Sequence, residues 1–153
     1  MTPYFAYGSN MSRTRMERRC RNAMAIGPAR LEGWRFLVTL DGYASVVPAS
    51  GAVVHGVLWR VSARDLAALN AYESLDSGLY VRRTLPVRAG DRIVAALVYV
   101  GRRSKPGKPR PGYQRMLVAA AREWELPERY VRSLERWGQS FGGTRAAEVG
   151  EAG

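Results

Sequence analysis

Between Ala52 and Val61 the chain alternates: Val53, His55, Val57, Trp59 and Val61 fall on one face at period two, and Ser62-Ala63-Arg64-Asp65 follows without a gap. Alternation of this length marks a strand. A serine three residues before an aspartate marks a capping box, in which the serine oxygen accepts from the first helical turn and the aspartate reaches back. A strand that passes straight into a helix leaves this region little freedom. Leu66, Leu69 and Tyr72 then recur at three-residue spacing, which predicts a short amphipathic helix ending near Glu73.

Other segments fill in around this unit. Residues 3–7 read as a strand, and Ser12 is placed to cap a short basic helix running to about Arg21. A second strand is expected over 29–40, with Leu31, Trp34, Phe36 and Val38 as its apolar members, and a short third over 43–48. Residues 79–88 and 92–100 form a hairpin turned through Ala89-Gly90-Asp91. A loop rich in Pro, Gly and basic residues spans 101–112, followed by a helix over 113–125 and another from Pro127 to about Trp137. Strands fill the first two thirds and helices the last, so the class is α+β, with strands short and numerous enough to curl into a small barrel. One catalytic domain over 1–137 and a frayed, flexible tail over 138–153 are expected.

Composition narrows the function classes. A chain of 153 residues holds one ordinary domain with a real core. No apolar run approaches bilayer-spanning length and the N-terminus lacks the order of a signal peptide, so a soluble, cytoplasmic protein with no membrane partner is expected. A lone cysteine, Cys20, leaves no internal disulfide. With one histidine, His55, there is poor material for a metal site. The net charge of +11 can mark a nucleic-acid binder, yet the arginines are scattered from Arg13 to Arg145 rather than massed on one helix. Gly138-Gln139-Ser140-Phe141-Gly142 matches the nucleophile-elbow pattern, but a helix precedes it and no histidine follows it. Cys20 and His55 read as packed side chains without a catalytic partner.

Tyr4-Phe5-Ala6-Tyr7-Gly8-Ser9-Asn10-Met11 is a strand that breaks abruptly into small residues. Such a break is either a connecting turn or a nest of backbone N–H groups able to hold an anion. Glu73, at the end of its helix, is either a solvated charge or a carboxyl whose ionised form the negative end of the helix dipole disfavours.

These stretches together resemble the γ-glutamylcyclotransferase family, of AIG2-like fold. YFAYGSNM is similar to that family's substrate loop. Gly56–Val61, a short helix and then Tyr72-Glu73 resemble its strand, helix and catalytic glutamate, and Ser77–Val81 its following aromatic strand. Pro111–Gln114 and Glu125–Tyr130 resemble its C-terminal helices, so the likeness spans residues 3 to 137 in order. One departure stands out: Ser74 follows the glutamate where the family commonly has glycine.

The resemblance implies a small mixed β-barrel with flanking helices and an enzyme that converts γ-glutamyl amino acids to 5-oxoproline. The substrate's own α-amine would attack its γ-carbonyl, so no metal or cofactor is required. Glu73 would move the proton, the loop Tyr7-Gly8-Ser9-Asn10 would bind the glutamyl group at the end of the strand carrying Tyr4, Phe5 and Ala6, and Tyr80 and Tyr113 would stand around it. The partner would be a small γ-glutamyl molecule. Nucleic acid is not expected, and a homodimer is left open. The YGSN loop favours simple γ-glutamyl amino acids over glutathione or γ-glutamylamines, which are the alternatives within this chemistry. A non-catalytic basic binding module is the alternative outside it, and would have no need of a buried Glu73.

Overall fold

Two long strands form the spine of the molecule. The computed structural model describes residues 1–73 and 78–139. In it β2 (Met24–Val38) and β3 (Ala44–Val61) run antiparallel through most of their length. β1 (Thr2–Ala6) lies on the other side of β3, and β4 (Tyr80–Ala89) pairs with β5 (Arg92–Gly101) in the expected hairpin, where Gly90 takes a φ of 62°. The strands close into a barrel in the order β1-β3-β2-β4-β5. Closure depends on two sparse contacts: a parallel pairing of β1 with β5 at Tyr4↔Leu97, and a bridge between β2 and β4 at Arg30↔Arg88.

Four helices flank the barrel among the described residues: α1 (Arg13–Arg19), α2 (Ala63–Tyr72), α3 (Tyr113–Glu123) and α4 (Glu128–Gln139). Ser12 caps α1 through an Oγ that accepts from the Arg15 N–H. Both halves of the Ser62/Asp65 capping box are formed at the start of α2. α3 stops short of its expected end because Glu125 turns left-handed, at φ 54°, to start the approach to α4. α4 runs to Gln139, two residues past the expected Trp137, so Gly138 and Gln139 of the elbow-like pattern belong to a helix. Its Ser140–Gly142, and residues 140–153 of the tail expected to fray over 138–153, lie outside the described residues. No described helix is long and apolar enough to cross a membrane.

Two strand boundaries differ from the sequence reading. β2 starts at Met24 rather than Ala29. Gly27 sits at a bulge with φ 139° and the pairing carries on through it. The expected strands at 43–48 and 52–61 are one strand, β3, whose register slips where the break was expected: Glu32 faces Val53, but Trp34 faces Pro48. Gly33 and Gly51, at φ 85° and 81°, supply the left-handed conformations that let both strands pass through the slip. Past the slip Val53, on the face shared with His55 and Trp59, is 36% exposed, while Val54 on the other face is buried. Beyond it the alternation holds. His55 and Trp59 face the helical layer, His55 against Tyr130 and Trp59 against Trp124, while Gly56 on the opposite face receives the Phe5 ring.

Candidate active site

The end of β1, the end of α2 and the starts of β3, β4 and α3 converge on one pocket of about 180 Å³. That is smaller than the roughly 300–1,000 Å³ of a drug-sized site, and suits a short polar head group. Its wall is aromatic: seven of the chain's eight tyrosines line it, together with Phe5, Gly8, Ser9, Asn10 and one carboxylate, that of Glu73.

β1 delivers the loop. After Ala6 the chain passes through Tyr7 and Gly8 into a short 3-10 turn, Ser9–Met11. The first hydrogen bond of the turn runs from the Met11 N–H to the Gly8 carbonyl, leaving the N–H groups of Ser9 and Asn10 outside the turn's own bonds. Gly8 is not left-handed; its φ is −117°. Its requirement is space instead, because a Cβ there would lie 3.2 Å from the Tyr113 hydroxyl and 3.5 Å from the Ala44 Cβ.

The side chains of the loop are turned to bracing it. Asn10 Nδ2 donates to the Tyr4 hydroxyl at 3.0 Å, while its Oδ1 accepts from Arg19 Nη1. The same Arg19 nitrogen donates to Ser9 Oγ at 3.1 Å, and the guanidinium lies 3.5 Å from the centre of the Tyr72 ring. Ser9 Oγ is also within 3.1 Å of the Tyr72 hydroxyl. Arg19 therefore ties the loop to the last residue of α2, immediately before Glu73.

Glu73 caps α2, its N–H bonded to the Leu69 carbonyl. Burial pushes its carboxyl up to about pH 7, and the Arg19 guanidinium pulls the other way. The direction is the one expected from the helix end, but burial is the leading cause. Burial likewise holds the phenols of Tyr4, Tyr7, Tyr80, Tyr99 and Tyr113 above their usual range, so they act as neutral hydrogen-bonding groups. Tyr80 donates to the Ala44 carbonyl at 2.7 Å, and Tyr113 accepts from the Ala44 N–H at 3.1 Å. Between them they clamp that peptide at the start of β3. Tyr113, having accepted, keeps its own proton to give.

Of the residues singled out in the sequence, Tyr4, Phe5, Tyr7, Gly8, Ser9, Asn10, Glu73, Tyr80 and Tyr113 meet at this pocket. Ala6 does not: it is buried, 1% exposed, and its carbonyl backs onto Gly56. The reading missed Tyr43, Ala44, Tyr99 and Arg19. Tyr99 sits in an apolar run and looks like core, and Arg19 is one arginine among many. Neither Cys20 nor His55 lines the pocket. Burial drives the Cys20 thiol up to about 11, with the Arg19 guanidinium pulling the other way, and its sulfur donates to the Asp65 carbonyl. Ser74 and Ser77 lie outside the described residues.

The family model described as gamma-glutamyl cyclotransferase, AIG2-like, matches residues 4–125. A gamma-glutamylcyclotransferase of Mus musculus is 29% identical over 144 residues, covering 86% of this chain and 76% of the relative. One of Bos taurus is 29% identical over 147 residues with the same coverage. A solved structure of a gamma-glutamyl cyclotransferase superposes with a TM-score of 0.82 at 26% identity, covering 88% of this chain and 86% of that one.

Proposed function

Because the chain belongs to the gamma-glutamyl cyclotransferase, AIG2-like family, we propose that it is an enzyme converting γ-glutamyl amino acids to 5-oxoproline and a free amino acid. The observation that carries this reading is a single carboxyl poised near neutrality, Glu73, in the same small pocket as the Gly8–Asn10 backbone. Glu73 takes a proton from the substrate's α-ammonium. The freed nitrogen attacks the γ-carbonyl carbon, closing a five-membered ring and placing negative charge on the carbonyl oxygen. As the tetrahedral centre collapses, the bond to the leaving nitrogen breaks and Glu73 returns the proton to it; the carboxylate so restored takes the second proton from the ring nitrogen, leaving a neutral lactam, and passes it to the departing amine, which leaves as an ammonium. No group of the protein forms a bond to the substrate.

What remains for the protein is to fold the substrate so that amine and carbonyl meet, and to steady the oxyanion. The N–H groups at Ser9 and Asn10 and the remaining proton of Tyr113 are the donors for the oxyanion and the α-carboxylate. Tyr80, its proton given to Ala44, acts by holding that peptide in place. The pocket admits the glutamyl head and leaves the departing amine toward its mouth, in keeping with a small-molecule partner and a cytoplasmic setting.

Glu73→Gln keeps the side chain's shape but cannot carry the proton. We expect 5-oxoproline release from γ-glutamyl-alanine to fall about 10²–10⁴-fold with substrate binding largely intact. A folded Glu73→Gln protein that turns over near the wild-type rate defeats the mechanism.

A further inference from the structure

The basic loop after β5 lies beside the pocket, next to a small cleft that adjoins it. Its backbone is zipped to the β2–β3 turn: the Leu40 N–H donates to the Lys105 carbonyl at 3.1 Å, Gly107 to Val38 at 2.7 Å and Arg110 to Gly42 at 3.2 Å, with a bridge at Thr39↔Pro106. A Cβ at Gly107 would stand 2.4 Å from the Thr39 carbonyl oxygen, so the two segments are in backbone contact. This strap is a fixed wall, and it is heavily cationic: Arg102, Arg103, Lys105, Lys108 and Arg110 fall within nine residues, facing a turn whose one acidic residue is Asp41.

Two of these cations are placed against the pocket. Arg103 and Asp41 line a small cleft that shares Tyr43, Leu79 and Tyr80 with the main pocket, and they pair loosely, with Nη1 3.7 Å from Oδ1. Arg110 lies over the Tyr43 ring at 4.7 Å and gives its Nε hydrogen to the Asp41 carbonyl at 3.1 Å. Tyr43 in turn stands edge-on to Tyr113, 5.5 Å away. The positive charge is thus held at a defined distance from the glutamyl pocket, on the side where the cleft continues it.

We propose that this strap is the subsite for the departing group, and that Arg103 and Arg110 select γ-glutamyl compounds whose leaving amine carries a carboxylate. The proposal rests on the cyclotransferase reading above. A glutamyl head fills the pocket, so whatever hangs from the γ-nitrogen emerges at the mouth. A carboxylate there meets the guanidinium groups of Arg103, beside Asp41, and of Arg110, over Tyr43, each able to give it a charge-assisted hydrogen bond. The Asp41 carboxylate opposes an anion, but the strap keeps a large excess of positive charge around it.

The test compares γ-glutamyl-alanine with γ-glutamyl-ethylamine, which differ only in that carboxylate, by release of 5-oxoproline. An exposed ion pair amounts to no more than about a fivefold change, so the wild-type protein is expected to prefer the alanine conjugate by roughly fivefold in kcat/KM, mostly through KM. In Arg103→Gln/Arg110→Gln that ratio should collapse toward one. If the double variant does not fold, the wild-type ratio is followed against ionic strength, and it should fall as salt rises. A wild-type ratio near one, a ratio unchanged in the folded variant, or a ratio insensitive to salt overturns the subsite while leaving the cyclotransferase reading standing. Failure of both substrates to yield 5-oxoproline overturns that reading instead, and the subsite with it.

Discussion

Glu73 is held in its proton-bound form to a higher pH in the fold than in the unfolded chain, because its carboxyl is shifted from its ordinary value up to about 7 by burial. Between those two values the native state binds the proton more tightly, so stability declines as pH rises through the window and is lowest above it. Glu73→Gln, which never ionises, is therefore expected to be the more stable protein near pH 8, by no more than about 3 kcal/mol. The gap should close near pH 4, as read by urea unfolding at both values. A gap that does not widen with pH contradicts burial as the cause. Arg19 works against that burial, so Arg19→Gln should move the rising limb of the kcat/KM profile to higher pH by about one unit. Arg19→Lys should restore the limb but not the rate, since it keeps the charge and loses the fork that grips Ser9 and Asn10. The place of Glu73 was legible because a capping box and a three-residue period locate the end of its helix, while its role was implied only by the family resemblance. Arg19 was not, because what distinguishes it from its arginine neighbours is a contact with a ring 53 positions away in a different helix.

At the level of elements, β1 and β3 make the site by pressing close together. Gly56 allows that approach: a Cβ there would lie 2.3 Å from the Ala6 carbonyl oxygen and 2.8 Å from the end of the Phe5 ring. The backbone oxygen cannot yield unless β1 shifts, so Gly56→Ala should destabilise by about 1–3 kcal/mol and lower activity as well. Gly8→Val is expected to separate the two effects. Its side chain crowds the Tyr113 hydroxyl rather than a strand, so turnover should be lost while the melting temperature stays near that of the wild type. Equal thermal losses in both variants refute the distinction. The strands themselves were largely visible in the sequence, the hairpin at Gly90 and the strand into Ser62 above all. What was misread, the unity of β3 and the early start of β2, turns on Gly27, Gly33 and Gly51. Glycine in a sequence signals an interruption, and pairing across the barrel carries the strand through it.

For the molecule as a whole, the positive charge is spread along the chain, apart from the cationic strap at 102–110. Arg13 pairs with Glu123, Arg30 and Arg88 with Glu32, and Arg122 with Glu128 and Glu135, so several cations are answered locally. Duplex DNA should accordingly bind weakly at low salt and be released at physiological salt, as sequence-independent phosphate contacts are. A titration that shows tight binding persisting there would restore the basic binding module as the better reading. Barrel closure was foreseeable only as a tendency, because no local pattern announces that β1 will lie parallel to β5. That pairing, with the Tyr7 hydroxyl donating to the Tyr99 carbonyl 92 positions away, also sets a timetable for biosynthesis. A ribosome adding about 5–20 residues per second needs on the order of 5–20 s to travel from one to the other. For that interval the aromatic segment around Tyr4 lacks β5, the second of its two partner strands, and its free edge is open to chaperones and to mispairing with other nascent chains. A chain released before β5 emerges would have made every residue from Tyr4 to Glu73 and still lack Tyr99 and Tyr113, two walls of the candidate pocket.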